Sequence, residues 1–357
     1  MMKRRSARQM LLCGEGNDIF YQRGKLFLAD DKGGRERFLA SVPSSLLQRV
    51  GAAFSLTERA LRLVPRCAAW VDEDTFVFAR KGRIFRVSIS GQSICEEHTF
   101  QSGMSAPLSF CRVSHVQGFT DGLLYGSYIT QHGTTAIWRR DAAGEWREAY
   151  CFPEGRILHI HGIIADASRE RLLILTGDSD EESGIWEARN DFAEVRLLLG
   201  GSQQYRSCVA FPEEGHILFA TDTPLEDNHL YDFDETTGSV AKVCPLPGPV
   251  ICGTVYRKNG VPHYAFSTSV EPDSRLTGIR YLLTRRLGAG VKTRSSYVFS
   301  GTRKDGFRQI AAFSKDEWPM GLCQFGNVFF PGGMKNNLYL CPQSVKKYAG
   351  KTMEVTY

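Results

Sequence analysis

An apolar extended stretch carrying an aromatic, a polar turn and a second extended stretch recur seven times, marked by Phe27, Phe85, Trp138, Trp186, Tyr231, Tyr281 and Tyr339. The intervals between them, 58, 53, 48, 45, 50 and 58 residues, fit a four-stranded propeller blade. Each marked stretch reads as strand, turn, outer strand, as in AIWRRDAAGEWREAYCF and HLYDFDETTGSVAKVCPL, with Gly, Asp, Asn or Ser in the turn. A more apolar run precedes each hairpin and supplies the strands nearest the axis, among them ILHIHGIIADASRERLLILTGD and YRSCVAFPEEGHILFATD. The pattern predicts an all-β fold, a β-propeller of seven blades, with six as the alternative count.

Repetition lets one body absorb all 357 residues, so a single domain over 1–357 is expected. Two segments, 45–64 with helical apolar spacing and 306–318, read as insertions between blades. The last unit reads as owning its outer strand, so closure is expected by packing of the first and last blades, with a shared blade as the alternative. Asp30, Asp141 and Asp234 each stand three residues after a marker aromatic, and the Asp141 to Trp146 interval in RRDAAGEW matches that of a degenerate Asp-box, a folding device that supports the same architecture.

Charge excludes one class of partner. The chain has 44 Lys and Arg against 39 Asp and Glu, a net +5, and no basic concentration of the kind nucleic acid requires. No apolar run reaches the ~20 residues of a membrane span, so the chain is expected not to span a membrane. No hydrophobic region of secretory length follows the basic start. The ten cysteines stand singly, many within apolar strands and with no C-x-x-C pair; this predicts reduced core thiols and a cytoplasmic setting.

In a propeller, the loop entering an inner strand and the loop after the second strand emerge on one face around the axis, so polar residues there converge. Blades four to six hold most of them: Arg156, His159 and His161 in RILHIHG, Asp178 in TGDSDEES, Gln203, Tyr205 and Arg206 in GGSQQYRS, Asp222 and Asn228 in ATDTPLEDNH, and Glu271 in STSVEPD. His159 and His161, two apart on a strand, face one way and are set to share a divalent metal, with Asp178 or Gln203 as third ligand, or to act as acid and base. A structural role, one imidazole packed between blades and the other on a carbonyl, fits the same residues. Tyr205 and Arg206 point to opposite sides. Arg206 suits an anionic group, while Tyr205 and Glu271 are proton-transfer candidates. Asp178 and Asp222 read equally as substrate contacts and as caps ending their strands.

The run from Arg156 to Asp234 resembles bacterial propellers of the BNR/sialidase-like superfamily, particularly members associated with polysaccharide synthesis or processing. The resemblance is carried by H-x-H-G at His159 to Gly162, T-G-D at Thr176 to Asp178, G-I-W at Gly184 to Trp186, G-G-S-Q at Gly200 to Gln203, and T-D-T-P at Thr221 to Pro224 with Asn228. His159, His161 and Gln203 are also similar to the metal-adjacent set of propeller lyases that act on uronate polymers. The resemblance implies an acidic glycan or sugar precursor as ligand, bound through Arg156, Asp178, Gln203, Arg206, Asp222 and Asn228. It implies cleavage by hydrolysis or β-elimination through His159, His161, Tyr205 and Glu271. The alternative is a non-catalytic scaffold or glycan-binding protein that meets a protein partner on the same face.

Overall fold

Alternating apolar and polar residues fold each repeat into an antiparallel four-stranded sheet, and seven such sheets surround one axis in the computed structural model. Residues 15, 31–33, 130–132, 334–335 and 357 are outside the described part of the chain. The protein is a seven-bladed β-propeller. Its inner strands are Gln9–Cys13, Cys67–Trp70, Cys111–Val113, His159–Asp166, Ser207–Glu213, Val250–Lys258 and Asn327–Phe329. Residues from or beside all seven line an axial cavity of about 340 Å³.

Closure is by a shared blade. The N-terminal strand Met2–Ser6 pairs with Thr352–Val355 and forms the outer strand of blade seven, opposite the packing-only closure expected from the last unit. Asn327–Phe329, Leu338–Gln343 and Thr352–Val355 are the inner, second and third strands of that blade, and Met2–Ser6 supplies the fourth.

The marker aromatics have a shared geometric origin. In every blade the pairing of third and outer strands slips by one residue at the same place, at Phe27, Phe85, Trp138, Trp186, Tyr231, Phe299 and Met353. Such a bulge sharpens the local twist. In blades two, three, five and six the ring there stacks on a second-strand ring, as Phe85 on Phe78 at 5.3 Å and Tyr231 on Phe219 at 5.3 Å. Two markers therefore differ from the sequence reading. Tyr281 lies in a helix and Phe299 takes its place, while Tyr339 is on the second strand of blade seven. Likewise Gly306–Ser314, expected within an insertion, pairs along Ser295–Thr302 as the outer strand of blade six.

Helices occupy three connections: α1 (Leu46–Ala52) and α2 (Ser55–Ala60) between blades one and two, α3 (Gly278–Leu283) within blade six, and α4 (Met320–Cys323) before blade seven. Ser45 starts α1 with a reciprocal bond to Gln48. Arg59 donates to the Cys323 carbonyl and pairs with Asp316 at 2.7 Å, tying α2 to α4. These connections emerge on the face of the inner-strand entries and leave Leu46, Leu47, Val50, Phe54, Ile279 and Leu283 exposed. Among the described residues no helix is long and apolar enough to cross a membrane.

The core lies between blades. Leu173, Leu175 and Ile185 of blade four pack against Ile217, Phe219 and Phe233 of blade five. Beside them Arg171 is buried, bonded to Asp166, Glu187 and Glu235 at 2.5–2.8 Å. The turn aspartates act as caps: Asp30 Oδ1 accepts from Gly34, Asp141 Oδ1 from Glu145, and Asp234 Oδ1 from Thr236 and Thr237.

Candidate functional site

Four inner strands carry a bulge near their entry, at Leu11, His161, Cys208 and Ile251. The extra residue points its side chain where a regular strand would not. In blades four and five it is polar, so the imidazole of His161 and the thiol of Cys208 both reach the axial cavity.

Asp178 follows the second strand of blade four and collects three cations or donors. Its Oδ2 lies 3.0 Å from His159 Nε2, and its Oδ1 lies 3.3 Å from His161 Nε2 and 2.8 Å from a terminal nitrogen of Arg206. Gly177 permits this approach, because a Cβ there would stand 2.6 Å from His161 Cε1. Burial alone would raise the Asp178 carboxyl, but the two imidazoles and the Arg206 charge outweigh it and hold the group far below its ordinary range. Asp178 is therefore ionised and fixes both rings.

His159 is further held by Tyr128, which pairs with it on an added strand, Tyr128–Ile129; the rings stack at 4.1 Å and 3°. The Arg66 guanidinium covers the other side of Tyr128 at 4.8 Å. His159 Nδ1 is buried with no hydrogen-bond partner among the described residues. His161 Nδ1 lies 3.2 Å from the Ser207 carbonyl, and burial pushes this imidazole below its ordinary pKa.

Beyond Arg206 stand two more acids. Asp222 Oδ2 is 3.9 Å from Arg206 Nε and accepts from the Cys208 thiol at 3.1 Å. Glu271 accepts from the Ser269 hydroxyl. Burial raises both carboxyls, and Glu271 repels Asp222 further upward against the pull of Arg206. Burial and the neighbouring Asp222 likewise push the Cys208 thiol well up. One guanidinium thus faces three buried or half-buried carboxyl groups.

The structure brings together His159, His161, Asp178, Arg206, Asp222 and Glu271. Gln203 supports them as a strut: its amide nitrogen donates to the Asp178 carbonyl and to Asp180, and its oxygen accepts from the Thr223 hydroxyl. Among the described residues, His159 and His161 with Asp178 or Gln203 do not gather as a metal-ligand group, and Asp178 instead bridges the two rings. Among the described residues the group with metal-ligand proximity is His161, Cys208 and Asp222. Tyr205 turns away to pack on Phe219 at 6.3 Å within the inter-blade core. Arg156 is exposed at the rim over Trp186, 5.3 Å from the ring. Asn228 is consumed by its own loop, bonding Thr221, Thr223 and the Gly290 carbonyl. Strand capping falls to the threonines, Thr176 and Thr221, rather than to the aspartates beside them. Cys208 and Arg66 were not among the expected site residues. Cys208 follows Arg206 by two positions as His161 follows His159, a spacing that could have flagged it.

No protein-family model and no curated protein matches the sequence. Solved structures match in fold. An oligogalacturonate lyase in complex with manganese aligns over 99% of this chain and 92% of its own at TM-score 0.54 and 11% identity. An oligogalacturonate lyase from Vibrio parahaemolyticus aligns over 92% and 90% at 0.55 and 11%. A chain of the mitotic checkpoint complex aligns over 99% and 92% at 0.56 and 8%. At these identities the likeness is one of fold, shared by proteins of unrelated roles.

Proposed function

We propose that the mouth of blades four to six binds an acidic sugar of the uronate class and moves protons on it, as a carbohydrate-active propeller. What supports this reading is that His159, His161 and Arg206 all contact Asp178 across the boundary of blades four and five, with Glu271 of blade six acting on the same Arg206 charge. In β-elimination a base removes the proton beside a sugar carboxylate while a cation steadies the charge that develops. His159 has the form of such a base: Asp178 holds its Nε2 proton, and Nδ1 is left with a lone pair. Arg206 supplies the cation, and Glu271, whose carboxyl burial raises, is the candidate donor to the leaving oxygen. The fold likeness to oligogalacturonate lyases favours this substrate class. The single, scattered placing of the cysteines along the sequence favours a cytoplasmic setting.

Incubation with oligogalacturonate and with sialylated oligosaccharides tests the reading, since elimination creates an ultraviolet-absorbing double bond and hydrolysis does not. Binding and turnover should be lost in His159→Ala and Arg206→Ala while the fold persists. Unchanged turnover in His159→Ala, or no binding of any acidic sugar, would sink it.

A scaffold reading is favoured by a different feature, the apolar helix layer of α1, α2, α3 and α4 on the same face. Exposed Arg49, Arg62, Arg280 and Arg285 border its leucines, so the fitting occupant is a protein with an apolar patch ringed by acids. Under that reading Leu47→Glu removes binding of the partner and leaves the glycan site untouched.

A further inference from the structure

We propose that His161, Cys208 and Asp222 form a binding site for a thiophilic divalent cation of the zinc class, at the junction of blades four and five. One ligand atom from each lies within 4.8 Å of the others. The three come from adjacent blades, two of them from the equivalent bulge position, so the placement is set by rigid strands rather than by a mobile loop.

Two observations point to a cation at this place. Asp222 is 5% exposed, and its Oδ1 is buried without a hydrogen-bond partner among the described residues, a state that is costly unless something binds there. The second concerns His161, 2% exposed. Both its ring nitrogens face acceptors, the Ser207 carbonyl at 3.2 Å and Asp178 Oδ1 at 3.3 Å. A neutral ring has one N–H, so one lone pair points at an oxygen unless a cation lies beside it. The axial cavity, lined by His161 and Cys208, gives an ion a route in.

The donor set selects the ion. One nitrogen, one sulfur and one oxygen with an open fourth position is a zinc-type arrangement, whereas a thiolate is a poor ligand for magnesium, calcium or manganese. Charge also balances, as thiolate and carboxylate together offset a dication. On binding, the Cys208 S–H bond breaks, a metal–sulfur bond forms, and the proton now shared with Asp222 Oδ2 leaves to solvent.

The site stands independently of the glycan reading, since metal binding and sugar binding are read separately. Protein purified without a histidine tag should retain about one equivalent of zinc, and chelator-stripped protein titrated with Co²⁺ should show the near-ultraviolet thiolate-to-cobalt band and release at least one proton per ion. The band should vanish in Cys208→Ala and persist in Cys95→Ala, and Asp222→Asn should weaken Co²⁺ binding at least about tenfold. Where a variant fails to fold, the wild-type band and proton release decide alone. No stoichiometric zinc together with no cobalt band overturns the proposal, as does a band that survives in Cys208→Ala or tighter binding of Mn²⁺ than of Co²⁺.

Discussion

The guanidinium of Arg206, on the loop entering blade five, lies 2.8 Å from the carboxylate of Asp178, on the loop that ends the second strand of blade four. The contact crosses a blade boundary and is largely shielded from water on the arginine side. Breaking it from that side leaves Asp178, Asp222 and Glu271 without their shared cation. Arg206→Met should therefore destabilise the protein by about 2–4 kcal/mol, and Asp178→Asn by about 1–2 kcal/mol because Asp178 is partly solvated. A double-mutant cycle read by urea denaturation should return a coupling of about 1–3 kcal/mol. Strict additivity would mean the pair is not formed.

Acid should weaken the buried network around Arg171. Burial would raise the Glu187 carboxyl, but hydrogen bonds from Arg189, Arg171 and Arg196 outweigh it and hold the group at about 2. Its folded value is below its unfolded value, so the stabilisation is present above pH ~4.5 and fades as pH falls toward ~2. Glu187→Gln should cost about 1–2 kcal/mol at neutral pH, after allowance for water around the exposed Arg196. The gap between wild type and variant should close on acidification across that window. A gap constant from pH 6 to pH 2 would remove Glu187 as its cause.

Blade rhythm was legible because it has a local cause: a bulge of the outer strand at a fixed place, faced in six of seven blades by a third-strand aromatic, five of which the sequence displays at regular intervals. Blade six hid its marker. The connection between its second and third strands carries α3, whose Tyr281 stands among apolar residues much as a strand aromatic would, and the true position, Phe299, lies further on. The site was legible where loops alone decide it, since His159, Asp178, Arg206 and Glu271 needed only the rule that entry loops share a face. It was hidden where direction decides it. The turn Gln203–Tyr205 sends Tyr205 into the core and Arg206 to the mouth, and only the inner-strand bulge brings Cys208 beside His161. Closure was misread because a strand's partner in another part of the chain leaves no periodic trace.

The shared seventh blade makes the N-terminus a structural strap. Met2–Ser6 covers the edge of Thr352–Val355, the Met10 N–H donates to the Thr352 hydroxyl at 2.8 Å, and Lys3 pairs with Glu354 at 3.2 Å. Removing residues 1–6 unpairs one edge of that strand and opens the ring between blades seven and one. The melting temperature should fall by roughly 5–10 °C, a few kcal/mol for a chain of this size. Lys3→Ala, whose exposed pair is worth little, should change it by no more than about 1 °C. Equal effects of the two changes would place the stabilisation in the charge rather than in the strand.

The thiols offer a test of how tightly the blades stay closed. Cys95 is exposed on the outer strand of blade two. Burial pushes Cys67, Cys111, Cys252 and Cys341 up to about 12, and Cys111 and Cys341 are also shielded from solvent, whereas Cys67 and Cys252 line the axial cavity; the thiolate is the reactive form. A soluble disulfide reagent should modify one thiol in a fast phase, and that phase should disappear in Cys95→Ser. Cys111 and Cys341 should react only at the rate at which blades separate, slowed by several orders of magnitude until urea unfolds the ring. Fast reaction of either in native buffer would mean that the blade interfaces open on the timescale of the assay, and the rigid gathering of His161, Cys208 and Asp222 would be lost with them.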